Sequence, residues 1–284
     1  MTIESAVIFE CSGEQLVGIL HSPPSSKRAI GVVIIVGGPQ YRVGSHRQFV
    51  QLARALAKAG YPVFRFDYRG MGDSSGETRD FRAVDDDIRV AIDTLMAREP
   101  TLSGVVLMGL CDAASAALIY VPDDSRVEGL ILVNPWVRTE AGLAKAYVEQ
   151  YYGRRFLQKT FWRKILSGRL DLCGSLTGFL RSVRTSRGPT AWLVAGESDD
   201  FIARMRRGLA QFGKPVLLLL SGRDLTAQEF VTLCRESQVW RSLVARPNVV
   251  REDLPDADHT FSTRAALESA NASCSAWLES RVGR

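Results

Sequence analysis

Four short runs in this chain are apolar almost from end to end: GVVIIVGG at residues 31–38, GVVLMGL at 104–110, VEGLILVNP at 127–135 and PVLLLLSG at 215–222. A strand with one face in water alternates apolar and polar side chains, and these runs do not alternate, so both of their faces must be covered. The stretches between them carry helical spacing instead. In SHRQFVQLARALAKAG, which opens at Ser45, Phe49, Leu52, Ala53 and Leu56 share one helical face, and Gly60 supplies a C-terminal stop. AVDDDIRVAIDTLMA is a second amphipathic helix and YPVFRFDYRG a further strand. Strands alternating with helices in this way predict an α/β fold, a mostly parallel sheet with helices on both faces.

The ends of the chain complete that pattern. Residues 6–21 read as a hairpin, VIFE and QLVGILH around the turn CSGE. A small-residue helix is expected from Asp112, a helix near AQEFVTLCRES, a strand around NVVREDL and a closing helix in STRAALESANASCSAWLES. The alternation breaks at residues 136–187, where the sequence reads as helical pieces with no strand. This segment holds eleven Lys and Arg against three Asp and Glu, a local net charge of +8 in a chain whose total is +5. The expected organisation is therefore an α/β core, residues 1–135 and 188–284, carrying a basic helical cap insertion at 136–187. The cap's apolar side (Tyr147, Tyr151, Phe156, Phe161 and Trp162) would cover a site at the sheet edge. Its Arg154, Arg155, Arg163 and Lys164 read first as a solvated helix face. Their second reading is a field attracting an anionic acyl donor or an acidic membrane surface.

Composition narrows the function classes. With 284 residues, 46% of them hydrophobic, the chain can bury a sizeable core. Its five cysteines, Cys11, Cys111, Cys173, Cys234 and Cys274, include no CxxC pair, so reduced thiols are expected rather than a disulfide framework or a zinc site. There is no Lys/Arg run interleaved with aromatics, which argues against nucleic acid. No apolar run reaches the length of a membrane span, and the first twenty residues lack a signal-peptide layout, so the cytoplasm is the expected location.

The chemistry centres on GLCDA at 109–113. Nucleophilic catalysis on a parallel sheet needs a side chain lifted above a strand's C-terminal end on a sharp turn, with small flanking residues and a helix behind it. Gly109, Cys111 and Ala113 meet that need, and the backbone amide of Asp112 would point at an oxyanion formed beside Cys111. The Asp112 carboxylate would oppose thiolate formation if it pointed inward, and is expected to face solvent. A cysteine nucleophile needs a base, and the chain offers three histidines. His21 falls in the hairpin and His46 at the opening of the first helix. His259 follows the last strand, where a loop can reach back over the sheet edge. A carboxylate should orient it, and Asp224 stands 35 residues before it, just after a strand. Asp199 and Asp200 are rivals, but Asp224 leaves no unexplained strand between acid and base. A second oxyanion donor is expected from GGPQ after the first buried strand. Pro39 has no amide hydrogen, leaving Gln40, which is favoured, or Gly38.

Together these residues resemble the α/β-hydrolase superfamily. VVIIVGGPQ is similar to its oxyanion strand and loop, GLCDA stands where GxSxG is usual, and SGRD and ADHTFS are similar to its acid and histidine segments. FRFDYRGMGDSSGE resembles the superfamily's DxRGxGxS turn, with Asp67, Arg69, Gly70, Gly72 and Ser74 all in place. More narrowly, GGPQYRVGSHRQF, GLCDAA, SGRDLTAQEF and DADHTFS resemble the exosortase A system-associated hydrolase 1 family, which implies a link to bacterial exopolysaccharide and protein-sorting systems. Two departures from the superfamily pattern stand out: cysteine replaces the usual serine, and Ala113 the second glycine. A thiolate favours thioester or activated-ester chemistry over amide hydrolysis. The expected activity is an acyl hydrolase with a Cys111, His259 and Asp224 triad, a covalent acyl-enzyme and no metal or organic cofactor. An acyltransferase on the same triad and a non-catalytic interaction protein are the alternatives.

Overall fold

A computed structural model describes residues 3–24, 28–38, 40–137 and 201–282. The strands are β1 (Ile3–Cys11), β2 (Glu14–Ser22), β3 (Ile30–Ile35), β4 (Val63–Asp67), β5 (Gly104–Leu110), β6 (Val127–Val133), β7 (Val216–Ser221) and β8 (Val249–Leu254). They form one sheet in the order β1-β2-β4-β3-β5-β6-β7-β8. The antiparallel hairpin β1–β2 joins β4 antiparallel, and the other pairings among the described strands are parallel. The described helices are α1 (Gln48–Lys58), α2 (Asp85–Arg98), α3 (Asp112–Tyr120), α4 (Phe201–Gln211), α5 (Leu225–Glu236), α6 (Gln238–Val244) and α7 (Arg264–Arg281).

The apolar runs become strands because each divides its side chains between two cores. In β3, Val33 and Ile35 face one layer while Val32 and Ile34 face the other, and β7 splits in the same way between Leu218 and Leu220 on one side and Leu217 and Leu219 on the other. The first layer is closed by α2 to α6 through residues such as Ile88, Leu118, Met205, Phe230 and Trp240. The second is closed by α1 and α7, which contribute Leu52, Leu56, Trp277 and Leu278. Burying one such large apolar side chain contributes about 1.5–3 kcal/mol, so the unbroken runs drive the three-layer arrangement.

Details differ from the sequence expectation in three places. Residues Ser45–Arg47 form a 3-10 turn, with His46 in the left-handed region (φ 53°), and α1 begins only at Gln48. The helices α4 and α6 were not anticipated; α6 is only seven residues long, too short to show a period. The insertion read over residues 136–187 lies outside the described residues except for Trp136 and Val137, as do Pro39, Cys173, Asp199 and Asp200.

Strand order then fixes where a site can form. The chain steps from β3 to β4 on one side and, through α2, to β5 on the other, so the loops leaving β3 and β5 diverge above the sheet. Such a reversal opens a crevice at the strands' C-terminal ends.

Candidate active site

Cys111 occupies the turn between β5 and α3 with φ 64° and ψ −125°, a conformation that L residues rarely adopt. The surroundings hold it there. The Cys111 N–H donates to Val133 O (2.9 Å), and the Cys111 carbonyl accepts from the N–H groups of Ala114 (3.1 Å) and Trp136 (3.1 Å). Gly109 is required by close approach, since a Cβ there would run into the backbone of Ala113 and Ala114. Cys111 is half-exposed, while Cys11, Cys234 and Cys274 are buried. Burial pushes the Cys234 and Cys274 thiols up to about 12, far from reactivity at neutral pH.

Two adjoining strand ends carry Asp224 and His259. Gly222 N–H donates to Leu254 O (2.8 Å) and Arg223 N–H to Ala257 O (2.9 Å), stitching the loop after β7 to the loop after β8. Asp224 is the N-cap of α5: its Oδ1 accepts from Thr226 N–H (3.1 Å) and its Oδ2 from Ala227 N–H (3.3 Å). The same Oδ2 lies 2.8 Å from His259 Nδ1, which therefore donates and turns Nε2 away from the acid. The Asp224 hydrogen bond first and Cys111 second hold the imidazole's proton, raising His259 to about 10 against the opposing effect of burial. The His259 loop is braced by Asp258, which accepts from the Thr260 (3.2 Å) and Ser262 (2.9 Å) amides. His21, by contrast, is fully buried in β2, accepts from Arg65 Nε (2.9 Å) and is lowered to about 4 by burial and the Arg65 charge. His46 sits in the turn before α1.

The loop leaving β3 faces the N-terminus of α3, and here one sequence expectation is corrected. The Asp112 carboxylate does not face solvent. Its Oδ2 accepts from Gly38 N–H (2.9 Å) and its Oδ1 from Ala113 N–H (2.9 Å). Unpaired amides at a helix start and in a turn are stronger attractions for a carboxylate than the solvent route assumed from the dipole alone. Room exists because residue 37 is glycine; a Cβ there would collide with the carboxylate. Burial raises the Asp112 carboxyl, and these amides act against the rise. Gln40 lies beside the same cleft, with its side-chain Oε1 accepting from Ser45 N–H (3.3 Å).

Arg42 was not singled out from sequence. Its backbone N–H and guanidinium both bond the carboxylate of Asp67, and its other guanidinium nitrogen lies 2.7 Å from Asp73. Asp67, at the end of β4, is almost fully buried. The DxRGxGxS turn thus anchors the β3 loop through its aspartate, while its arginine, Arg69, grips the buried Asp87 of α2 (2.8 and 3.0 Å). A buried carboxylate needs a partner, and that rule would have pointed to the nearest cation on the facing loop.

These elements enclose a cleft of about 660 Å³, bordered by Gly38, Gln40, Cys111, Asp112, Trp136 and His259. Its size suits a small-molecule ligand. Among the described residues, no group of three or more His, Cys, Asp or Glu is placed to hold a metal ion. Nor is any described helix long and apolar enough to cross a membrane.

A family model described as serine aminopeptidase, S33 (Hydrolase_4), matches residues 27–232. The chain belongs to that family. The match spans Cys111 and Asp224 and stops short of His259. No curated protein matches the sequence. Among solved structures, an esterase from Pyrococcus furiosus superposes with a TM-score of 0.66 at 16% identity, covering 99% of this chain and 94% of the other. Est1E from Butyrivibrio proteoclasticus, solved with ferulic acid bound, gives 0.63 at 14% identity, covering 98% and 100%. The esterase domain of a Rhodothermus marinus protein gives 0.61 at 18% identity, covering 99% and 100%. At these identities the likeness establishes a shared fold, and the chain is an α/β hydrolase. The family's description names a serine; at the strand-to-helix turn this chain has cysteine.

Proposed function

We propose that this α/β hydrolase is a cysteine-nucleophile acyl hydrolase acting on a small ester or thioester. The observation that carries the reading is the chain of neighbours at the cleft: a half-exposed thiol on a strained turn, an imidazole raised to about 10, and a capped carboxylate 2.8 Å behind it. In this reading the attacking species is the Cys111 thiolate, with the His259 imidazolium as its partner. The Cys111 sulfur attacks the acyl carbon, and the carbonyl π electrons move to oxygen, where the amides of Asp112 and of Gly38 or Gln40 receive the charge. Collapse breaks the bond to the leaving alkoxide or thiolate, which takes the His259 proton. A water that gives a proton to His259 then attacks the acyl-cysteine, releasing the acid and restoring the thiolate. Asp224 keeps the imidazole's Nδ1 proton in place throughout.

Esters and thioesters fit better than amides because a thiolate leaves a tetrahedral intermediate more readily than an unprotonated amine does. The solved neighbours named as esterases support the same substrate class. Residues 136–187 are proposed as a basic helical cap over the cleft, suited to an anionic acyl donor, and the exosortase resemblance supports a link to a bacterial exopolysaccharide and protein-sorting system. One observation favours a second reading, a non-catalytic interaction protein: the Gly38 amide is engaged by Asp112. Steady-state turnover of short-chain p-nitrophenyl esters and acyl thioesters separates the two. The hydrolase reading expects turnover in wild type that Cys111→Ala abolishes; equal background rates in both across the panel point to the interaction protein.

A further inference from the structure

The oxyanion of acyl transfer would need amide donors from two elements, the start of α3 and the loop after β3. Both elements already point amides at a negative group, and that group belongs to the protein. Asp112 bridges them, with Oδ2 on the Gly38 amide and Oδ1 on the Ala113 amide, each at 2.9 Å. The distances are those of ordinary charge-assisted hydrogen bonds, not of a chance approach. The side chain that does this grows from the residue after the nucleophile, whose own amide is the expected first donor. Space for it is left by Gly37, the residue immediately before Gly38.

We infer that Asp112 is a positioning residue that gates the oxyanion site: its carboxylate rests on the Gly38 amide in the free protein, and an oxyanion engages that amide only by displacing it. The inference rests on the cysteine-nucleophile reading above. Two negative oxygens cannot share one set of donors, because like charges at this separation repel and each donor hydrogen is directed at one acceptor. Burial already works against the ionised carboxyl, so the resting contact is held by the amides themselves. The gate therefore keeps the Gly38 donor oriented while raising the barrier for substrates too small or too weakly bound to move it.

The test compares two reactions of one sulfur. Alkylation by iodoacetamide needs the thiolate and no oxyanion donor, whereas the p-nitrophenolate burst from p-nitrophenyl acetate needs both. Asp112→Ala empties the site and Asp112→Asn removes the charge while keeping one acceptor oxygen for the Gly38 amide, so both variants change the thiol's electrostatics alike. The gate predicts equal alkylation rates in the two variants and faster acylation in Asp112→Ala, with wild type slowest. Releasing a charged hydrogen bond places the gain from wild type to Asp112→Ala on the order of tenfold to a hundredfold. Equal acylation in the two variants reduces Asp112 to a charge effect and overturns the gate. Acylation in Asp112→Ala slower than wild type, with alkylation intact, overturns it in the opposite sense. If Asp112→Ala fails to fold, as judged by thermal melting, Asp112→Ser replaces it, with a side chain too short to reach Gly38. A burst that survives Cys111→Ala in every background refutes the nucleophile reading, and with it the inference; that result is distinct from failure of the gate alone.

Discussion

Asp224 and His259 meet over two stitched strand ends, where hydrogen bonds fix the carboxylate against the imidazole. Across the cleft, the amides beside Cys111 are equally well bonded, but to the Asp112 carboxylate. On the proposed function, one side of the cleft is assembled for chemistry at rest and the other is ordered by a group that chemistry must move. The difference shows that a well-ordered site and a ready site are separate properties. Hydrogen bonding rigidifies both sides, and only the identity of the acceptor distinguishes them.

The comparison is broken most severely from the assembled side. His259→Ala should slow acylation of Cys111 by about 10²- to 10⁴-fold, measured as the pre-steady-state burst rate. A loss much smaller than that would mean that the imidazole is a bystander to the thiol.

Asp224→Asn tests the same side more finely. The active form holds its proton on His259, so wild-type activity should fall as pH rises through about 10, where the imidazolium is lost. Removing the largest cause of the raised value moves that alkaline limb to lower pH, and the pH profile of kcat/KM reads the displacement. The same linkage reaches stability. A folded-state pKa raised above the ordinary 6.5 contributes stability fully below that pH, and the contribution fades as pH climbs through about 10. The Tm difference between wild type and His259→Asn should shrink along that interval.

The smallest effect on chemistry is expected from the anchor beneath the amide side. Arg42→Ala leaves the buried Asp67 carboxylate without its cation, a loss of about 3–5 kcal/mol in stability by urea unfolding. Its effect on turnover should come through KM and kcat together, as the loop carrying Gly38 loosens. Unchanged stability would show that the backbone amides of residues 42 and 73, both donating to Asp67, suffice without the guanidinium.

Much of this was legible in the sequence for plain physical reasons. Runs such as PVLLLLSG have no face to give to water, and that alone implies a covered parallel sheet. The face of α1 carrying Phe49, Leu52, Ala53 and Leu56 is buried as its spacing implied. That Cys111, Asp224 and His259 would stand together was legible because each follows a strand, and the C-terminal strand ends of a parallel sheet share one edge. What stayed hidden depends on contacts between residues far apart in sequence. Arg42 has meaning only once β4 places Asp67 beneath it. The inward turn of Asp112 depends on Gly37, seventy-five positions away, having no side chain. By contrast, helix α4 carries its signal in the sequence: Ile202, Met205 and Leu209 stand at spacings of three and four on one buried face.

The central claim is that Cys111 carries the acyl group. Its most direct test is intact-mass spectrometry of the protein quenched in acid moments after mixing with p-nitrophenyl acetate, followed by peptide mapping. The account predicts one acetyl adduct, located on Cys111, that forms in wild type, forms slowly in His259→Ala and decays as product appears. Acetylation confined to lysines or to other cysteines, with turnover that Cys111→Ala leaves intact, would contradict it.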